Sequence, residues 1–294
     1  TAGNDGISTI LLKKIKTIIC KPLALNINQA ITTGRFPDRL KIARVKPLFK
    51  KDDIHDLNNF RPISVLPSVS KVIEKALLLQ LQTHFQSNAL YYNGQYGFRE
   101  KHSTELATLE FTDRIINLID RGEVPLSIFL DLSKAFDCLN HSILIEKLKY
   151  YGVDGISLNL CEDYLSNRYQ FVQNDAVISK LIQVDTGVPQ GSVIGPFFFL
   201  VYINDFANCT NLFDMVNYAD DTTLLTSIHT VVANQTNQEH IINSELSEVQ
   251  RWLAANKLSL NTRKTKYMVF HSPQRNVVTP NLQIDNIPIE CVGT

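Results

Sequence analysis

Three aspartates occupy positions from which they could assemble a metal site for chemistry at phosphorus. Asp131 ends an apolar run that begins at Val124, and Asp220 and Asp221 lie in a polar turn between two further apolar runs. Carboxylates that are brought together repel one another, and they stay ionised only when cations neutralise them. Oxygen ligands favour Mg²⁺, for which Mn²⁺ can substitute, and two such ions suit an in-line displacement at phosphorus. Taken alone, the Asp220-Asp221 pair favours an ordinary solvated turn, because aspartate is a common turn residue.

Hydrophobic periodicity predicts which elements must position these aspartates. Strands are predicted over residues 41–49, 124–131, 168–174, 178–185, 212–218, 222–226 and 266–271, and the first could form a hairpin with the segment around Arg61. Helices are predicted over residues 8–31, 69–86, 103–120, 140–151, 155–166 and 238–256, and after Gly195-Pro196. Strands and helices that alternate irregularly in this way predict an α+β fold.

The order of these elements explains how the aspartates could meet. When residues 140–185 are set aside as an inserted excursion, the order from residue 123 onwards is β-α-β-β-α-β, which is that of the split, ferredoxin-like unit. In that unit the first strand lies beside the third and runs antiparallel to it. The end of the first strand therefore meets the turn between the second and third. This topology predicts that Asp131, Asp220 and Asp221 come to one place.

The composition is that of an ordinary globular protein. The chain has 294 residues, of which 44% are hydrophobic and 20% charged, and its formal net charge is zero. A neutral chain argues mildly against a nucleic-acid binder, because phosphate backbones favour a basic surface. One segment, residues 41–51, is nevertheless strongly basic and contains no acid. Its cations are Lys41, Arg44, Lys46, Lys50 and Lys51.

The cysteines and the apolar runs predict an intracellular protein with no membrane partner. The five cysteines are scattered, without a Cys-x-x-Cys pair, so they support neither a zinc site nor a disulfide framework. The longest apolar run, residues 196–203, is too short to span a bilayer. No signal peptide follows Thr1. We therefore expect reduced thiols and a location in the nucleus and cytoplasm.

Several ordered strings in this chain resemble motifs of reverse transcriptases. Residues 129–137 (FLDLSKAFD) resemble motif A, residues 187–196 (GVPQGSVIGP) motif B, and residues 218–221 (YADD) motif C. Residues 257–270 resemble motif D. Further strings resemble the non-LTR, LINE-type retrotransposon branch of the jockey or CR1 kind. They are residues 3–7 (GNDGI), 59–64 (NFRPIS) and 95–99 (QYGFR).

The resemblance implies a right-hand polymerase fold and an activity. It implies an N-terminal extension over residues 1–40, a largely helical fingers subdomain over 41–122, and a ferredoxin-like palm over 123–294 that carries the excursion at 140–185. The implied activity is RNA-directed DNA synthesis in retrotransposition, in which a DNA 3′-hydroxyl primer is extended on an RNA template with dNTPs. We expect the thumb, and the endonuclease of the same polyprotein, to lie outside this segment.

The resemblance also implies roles at the metal ions. Asp131 and Asp220 would be the principal ligands of two Mg²⁺ ions, with Asp221 assisting. The backbone carbonyl of Leu132 would be a further ligand. Lys264 would be the general acid that protonates the leaving pyrophosphate, although a flexible surface lysine is an equal interpretation.

Roles in nucleotide and template binding follow in the same way. Phe136 lies five residues after Asp131, where the family has a steric gate against a ribose 2′-hydroxyl. Gln190 and Gly191 would lie near the nascent base pair, and glycine allows a close backbone approach. The remaining assignments concern two pairs of finger residues. Lys50 and Arg61 would hold the triphosphate, with Lys46 and Lys51 as alternatives to Lys50, and Gln95 and Arg99 would contact the template.

Other interpretations stay open. A viral RNA-dependent RNA polymerase typically has a second aspartate where this chain has Phe136, and a group II intron-type maturase fits the strings at 60–64 and 97–99 less well. A catalytically silent RNA-binding scaffold would be expected to have lost one of the three aspartates. A plain RRM-like module would show paired aromatic residues in its central strands and would not need residues 60–122.

Overall fold

The structure, a computed structural model, describes residues 2–175, 177–228, 232–272 and 274–293. The chain forms two compact units, and each is built from two chain segments. The first unit consists of Thr1–Leu90 and Phe136–Tyr202, and the second of Tyr91–Ala135 and Ile203–Thr294. Each unit combines helices with a β-sheet, so the predicted α+β class is confirmed. The subdomain bounds predicted from the sequence stay a prediction.

The helices and strands follow the predicted order with shifted ends. The helices of the described residues are α1 (Thr9–Lys14), α2 (Lys16–Thr33), α3 (Ser68–Ser87), α4 (Thr104–Asp120), α5 (His141–Tyr150), α6 (Gly155–Leu165), α7 (Gly195–Ile203) and α8 (Val232–Ala255). The longer strands are β1 (Ile42–Phe49), β2 (Phe60–Val65), β3 (Val124–Leu130), β4 (Arg168–Asn174), β7 (Asp214–Tyr218), β8 (Asp221–Ile228) and β9 (Lys266–Val269). The short strands are β5 (Val177–Ile178), β6 (Ile182–Val184), β10 (Gln283–Ile284), β11 (Ile287–Pro288) and β12 (Glu290–Cys291).

One predicted helix is divided. The helix predicted over 8–31 is broken at Ile15 into α1 and α2. Ser8 begins the first of these, because its hydroxyl accepts from the Leu11 N–H at 3.2 Å and satisfies a free backbone donor. The second ends at Gly34, which takes φ +67, a conformation that glycine adopts without strain.

The sheet of the first unit is built on β1. The strands β1 and β2 pair antiparallel as the predicted hairpin, with Leu48 opposite Arg61. The strand β4 joins the other side of β1 and runs parallel to it, and β5 and β6 pair with β4. The antiparallel pairing of β4 with β5 and β6 agrees with the strands predicted over 168–174 and 178–185, whereas the parallel pairing of β4 with β1 was not predicted.

The core of the first unit contains the predicted face of α3. Ile73, Leu77, Leu81 and Phe85 are spaced so that they share one side of the helix, and all four are buried. The Phe85 ring meets the Phe197 ring edge-on at 5.1 Å between centroids. This packing is of the kind that aromatic pairs favour in cores.

The sheet of the second unit has the strand order β12-β9-β3-β8-β7. Without β12, this is the order of the ferredoxin-like unit, in which the fourth, first, third and second strands lie side by side. The strand β3 lies between β8 and β9 and is antiparallel to both. The predicted neighbours are therefore confirmed. The added strand β12 runs parallel to β9, and the sequence did not predict it.

The helix α8 presents its predicted apolar face inward. Ile242, Leu246, Val249 and Leu253 are all buried, as the spacing of a one-sided helix requires. On the same helix the Trp252 ring stacks on Phe206, with centroids 4.4 Å apart.

Candidate active site

The register of the second unit's sheet determines where the three aspartates lie. Leu130, the last residue of β3, pairs with Thr222 of β8, so Asp131 follows directly beside the start of β8. Tyr218 pairs with Asp221 across the hairpin between β7 and β8. Asp220 is therefore in the tight turn and Asp221 at its end. These pairings bring the three carboxylates to one end of the sheet, as the topology predicted.

The electrostatics of Asp221 reflect its partial burial and the two neighbouring carboxylates. The pKa of Asp221 is raised above its ordinary value, first by desolvation and then by the negative charges of Asp220 and Asp131. Across the described residues, no three His, Cys, Asp or Glu side chains come close enough together to hold a metal ion. The donor set still fits a hard divalent cation, because its members are carboxylates whose mutual repulsion a cation would relieve.

The motif D segment holds the backbone around Asp131. The Asn261 N–H donates to the Asp131 carbonyl at 2.8 Å, and the Ser133 N–H donates to the Ser259 carbonyl at 2.8 Å. These two hydrogen bonds form a bridge at Leu132 that does not use the Leu132 carbonyl. Thr265 adds a third contact, since the Asp131 N–H donates to its buried hydroxyl at 3.5 Å. Sequence reasoning missed Thr265, although its place in the string Lys264-Thr265 was a signal.

Lys264 is the cation nearest to this site that carries a predicted role. Its Nζ lies 3.8 Å from Oδ2 of Asp131, and its side chain is 64% exposed. The ammonium group is therefore accessible to solvent and lies near the carboxylate. The general-acid role stays a prediction.

The resemblance assigns Gln95 and Arg99 to the template. In the structure, both side chains form hydrogen bonds with backbone groups of the second unit. Gln95 is 3% exposed, and its amide bonds to the backbone of Ala219 and Gly97. The Arg99 guanidinium donates to the carbonyls of Tyr92 and Gln95, both at 3.0 Å. The template role of both residues stays a prediction, which no contact within this chain tests.

The residues assigned to the nucleotide lie in the first unit. Arg61 stands opposite Leu48 on the β1–β2 hairpin, so it shares a face with Lys46, because alternate side chains of a strand point the same way. Lys50 follows β1 directly and its N–H donates to Asn59 at 2.9 Å. Arg61, Lys46 and Lys50 are all exposed. The hairpin thus carries a cationic face.

The motif B loop is attached to this hairpin. The Ser64 N–H donates to the Gln190 carbonyl at 2.8 Å. Gly191 has φ +127, and a Cβ on it would lie 2.5 Å from the Ser64 carbonyl oxygen. Only glycine therefore allows this approach.

The same loop is also bonded to the segment around Phe136. The Gln190 amide donates to Asp137 Oδ1 at 2.8 Å, and the Val188 N–H donates to the Phe136 carbonyl at 3.0 Å. The Phe136 ring stacks on Phe199 at 4.6 Å. The structure therefore brings Gln190, Gly191 and the backbone of Phe136 together on the β2 side of the first unit. Sequence reasoning missed Asp137 as a partner of Gln190.

Glu74 supports the motif B loop from the core, and sequence reasoning missed it too. It is fully buried, and its carboxylate accepts from the Ser70 hydroxyl at 2.7 Å and from the Val193 N–H at 2.6 Å. A buried carboxylate must have such partners. The sequence did contain a signal for this role, because Glu74 is a charged residue that lies beside the apolar face of α3.

Comparison with solved structures identifies the fold. The fold is similar to that of apo telomerase from Candida tropicalis, with a TM-score of 0.56 and 13% identity over 87% of this chain and 50% of that one. A telomerase from Candida albicans matches with a TM-score of 0.54 and 17% identity over 82% of this chain and 45% of that one. At these identities the likeness shows the fold alone, which is the right-hand polymerase fold.

The sequence identifies the family. The family described as reverse transcriptase (RNA-dependent DNA polymerase) matches residues 49–285, and the chain belongs to it. It is 28% identical to the probable RNA-directed DNA polymerase from transposon BS of Drosophila melanogaster, over 98% of this chain and 32% of that protein. It is 27% identical to the RNA-directed DNA polymerase from mobile element jockey of the same species, over 91% of this chain and 30% of that protein.

These matches confirm the resemblance to jockey-type non-LTR retrotransposons. The chain spans about a third of the length of these curated relatives.

Proposed function

We propose that this chain is an RNA-directed DNA polymerase that extends a DNA 3′-hydroxyl primer on an RNA template during retrotransposition. One observation carries the proposal. The pairing of Leu130 with Thr222 sets Asp131 beside Asp220 and Asp221 in a chain of the reverse transcriptase family. The raised pKa of Asp221 supports it, because its causes are desolvation and, after that, the negative charges of Asp220 and Asp131.

We assign residues 123–294 to the palm and residues 41–122 to the fingers, with residues 1–40 as an N-terminal extension. The ferredoxin-like strand order of the second unit supports the assignment of the palm. The cationic face of the β1–β2 hairpin supports the assignment of the fingers. The thumb and an endonuclease would belong to other parts of a longer polyprotein.

We assign Asp131, Asp220 and Asp221, with the Leu132 carbonyl, to two Mg²⁺ ions, for which Mn²⁺ can substitute. When bound, the ions would supply activation of the primer hydroxyl and neutralisation of the phosphate charge. The Leu132 carbonyl is suited to this role because the backbone bridge to Leu260 leaves it out of its hydrogen bonds.

The remaining residues would bind and orient the substrates. In the reaction, the bond from the primer 3′-oxygen to the α-phosphorus forms while the bond from that phosphorus to pyrophosphate breaks. Arg61 and Lys50 would grip the triphosphate, because a guanidinium can bind two phosphate oxygens at once. Phe136 would exclude a ribose 2′-hydroxyl, and Lys264 would donate a proton to the pyrophosphate. Gln190 and Gly191 would border the nascent base pair.

The partners would be an RNA template, a DNA primer and dNTPs, and the protein would work in the nucleus and cytoplasm. All five cysteines lie within the described residues and form no disulfide bond there, which is in keeping with a reducing compartment. In the described part of the chain, no helix is long and apolar enough to cross a membrane.

Primer extension tests the proposal. The assay would use a homopolymeric RNA template, a DNA primer, Mg²⁺ and either dNTPs or rNTPs. We expect extension with dNTPs, and its loss in the double variant Asp220→Asn, Asp221→Asn. The variant Asp113→Asn, which changes an exposed carboxylate in the middle of α4, is the matched control.

Extension with rNTPs in place of dNTPs would move the protein to the RNA polymerase class. Folded wild-type protein that extends no primer would overturn the proposal.

A further inference from the structure

The turn that carries Asp220 contains a strained residue. Ala219 has φ +58 in the tight turn that joins the paired residues Tyr218 and Asp221. A residue with a Cβ seldom adopts such a left-handed conformation, and it persists only when its surroundings hold it. Ala219 is buried, so the contacts that hold it come from the protein.

The Gln95 side chain supplies those contacts. Its Oε1 accepts from the Ala219 N–H at 2.9 Å, and its Nε2 donates to the Ala219 carbonyl at 3.4 Å. The same Oε1 also accepts from the Gly97 N–H at 2.8 Å. One buried amide therefore binds both backbone polar groups of the strained residue and ties them to its own loop.

The loop that carries Gln95 lies against one edge of the sheet. The strand β7 is the last strand on its side. Its Asn217 N–H donates to the Gly94 carbonyl at 2.8 Å and its carbonyl accepts from the Tyr96 N–H at 2.8 Å. A Cβ on Gly97 would lie 2.2 Å from the Ala219 nitrogen. The loop can therefore approach Ala219 this closely only because residue 97 is a glycine.

The Arg99 side chain stabilises this loop through contacts within it. Its two hydrogen bonds reach the carbonyls of Tyr92 and Gln95, and its guanidinium lies 4.9 Å from the centre of the Tyr91 ring. These contacts fix the backbone on either side of Gly94. Within residues 95–99, the side chains of Gln95 and Arg99 therefore both form hydrogen bonds with backbone groups of this chain.

We infer that Gln95 is a positioning residue, which holds the Ala219 backbone and so sets the direction of the neighbouring Asp220 and Asp221 carboxylates. The inference rests on the proposed function for its catalytic consequence. It differs from the template contact that the resemblance implies, because the Gln95 side chain is buried and already bonded to the turn. Gly97 makes the contact sterically feasible, and Arg99 supports the loop.

The kinetic test compares Gln95→Leu with Gln95→Glu. Leucine keeps much of the volume but loses every hydrogen bond to Ala219, whereas glutamate keeps the acceptor for the two N–H groups. We expect Gln95→Leu to lower kcat by roughly ten- to a hundredfold, the effect of a small misplacement of catalytic groups. KM for dNTP and the affinity for an RNA–DNA primer duplex should stay unchanged. Gln95→Glu should retain more of kcat.

A template contact gives the opposite result. In that case Gln95→Leu would weaken binding of the RNA–DNA duplex and leave kcat at saturating duplex unchanged, which would overturn the inference. The variant Gln86→Leu, at an exposed position on α3, is the matched control and should change neither quantity.

A second measurement does not depend on activity. Ala219→Gly removes the strain, because glycine adopts positive φ readily. We expect the loss of stability in Gln95→Leu, followed by urea unfolding, to be smaller in the Ala219→Gly background than in the wild type, and kcat to be partly rescued. Equal losses in both backgrounds would overturn the inference. If the wild type extends no primer, the proposed function fails, and the unfolding comparison still decides whether Gln95 holds the turn.

Discussion

The ammonium group of Lys264 lies 3.8 Å from the carboxylate of Asp131. The two side chains belong to the two segments that the backbone bridge between Leu132 and Leu260 holds together. Both side chains are partly exposed, so the ion pair contributes less than about 1 kcal/mol to folding stability. We therefore expect replacement of Lys264 to affect the reaction more than the stability.

Replacing Lys264 separates proton donation from charge. We expect Lys264→Met to lower kcat about a hundredfold, the usual contribution of a general acid. Lys264→Arg keeps the positive charge but cannot release a proton readily, so it should not restore the rate. Single-nucleotide extension measured across pH would show both effects. Arg263→Gln, at the neighbouring exposed cation, is the control, and full activity in Lys264→Arg would reduce Lys264 to a counter-ion of Asp131.

The repulsion at Asp221 predicts a dependence of stability on pH. Its folded-state pKa is raised, so protonation favours the folded state, and the ionised carboxylate destabilises it once the pH rises through the folded pKa. Without metal at pH 7, Asp221→Asn should raise the free energy of unfolding, by less than about 1 kcal/mol because the group is exposed. The gain should vanish below the unfolded pKa of about 3.9.

Urea unfolding with a chelator at neutral and acidic pH measures this difference. Asp113→Asn, at an exposed position on α4, is the matched control. When Mg²⁺ is added, the wild type should be stabilised more than Asp221→Asn, because the ion binds the intact carboxylates. A stabilising effect of Mg²⁺ that is equal in both proteins would contradict the assignment of Asp221 to the metal site.

The stacking of Phe136 on Phe199 predicts the effect of replacing Phe136, the proposed steric gate, with a smaller side chain. The stack limits the freedom of the Phe136 ring, so a smaller side chain should admit a 2′-hydroxyl. We expect Phe136→Ala to raise the efficiency with rNTP relative to dNTP by roughly ten- to a hundredfold, on the scale of steric discrimination. Phe136→Tyr keeps the ring and should keep the preference for dNTP. Competitive extension with paired dNTP and rNTP measures it, and an unchanged ratio in Phe136→Ala would exclude the gate.

The register of the β1–β2 hairpin predicts which cations serve the triphosphate. Arg61 shares its face with Lys46, and Lys50 follows β1 directly, so three cations are available. We expect Arg61→Ala to raise KM for dNTP roughly tenfold, the value of a hydrogen bond to a charged group. Lys50→Ala should raise it more than Lys46→Ala. Steady-state kinetics would rank these variants by their KM for dNTP. Lys21→Ala, on the exposed surface of α2, is the control. Equal KM values for all variants would show that the hairpin does not bind the nucleotide.

Much of the fold could be predicted because its signals are local. The spacing of Ile73, Leu77, Leu81 and Phe85 predicts the buried face of α3, and the structure buries all four. The order of elements predicts the position of β3 beside β8, because the split unit allows few arrangements. From that single pairing the closeness of Asp131 to Asp220 and Asp221 follows.

Other features have no local signal. The parallel pairing of β1 with β4 joins segments more than a hundred residues apart, and neither strand's pattern specifies its partner. Glu74 and Asp137 are ordinary acidic residues in the sequence, and only packing shows that they bond the motif B loop.

The sequence by itself determined the family, the order of the elements and the three carboxylates, because these depend on residue types and short spacings. The tertiary structure decided how the carboxylates are held. It alone shows that a buried amide at Gln95 binds both polar groups of Ala219 and that Gly97 makes room for this contact. The physical reason is that the conformation of a turn depends on the groups packed against it, and those groups come from distant parts of the chain.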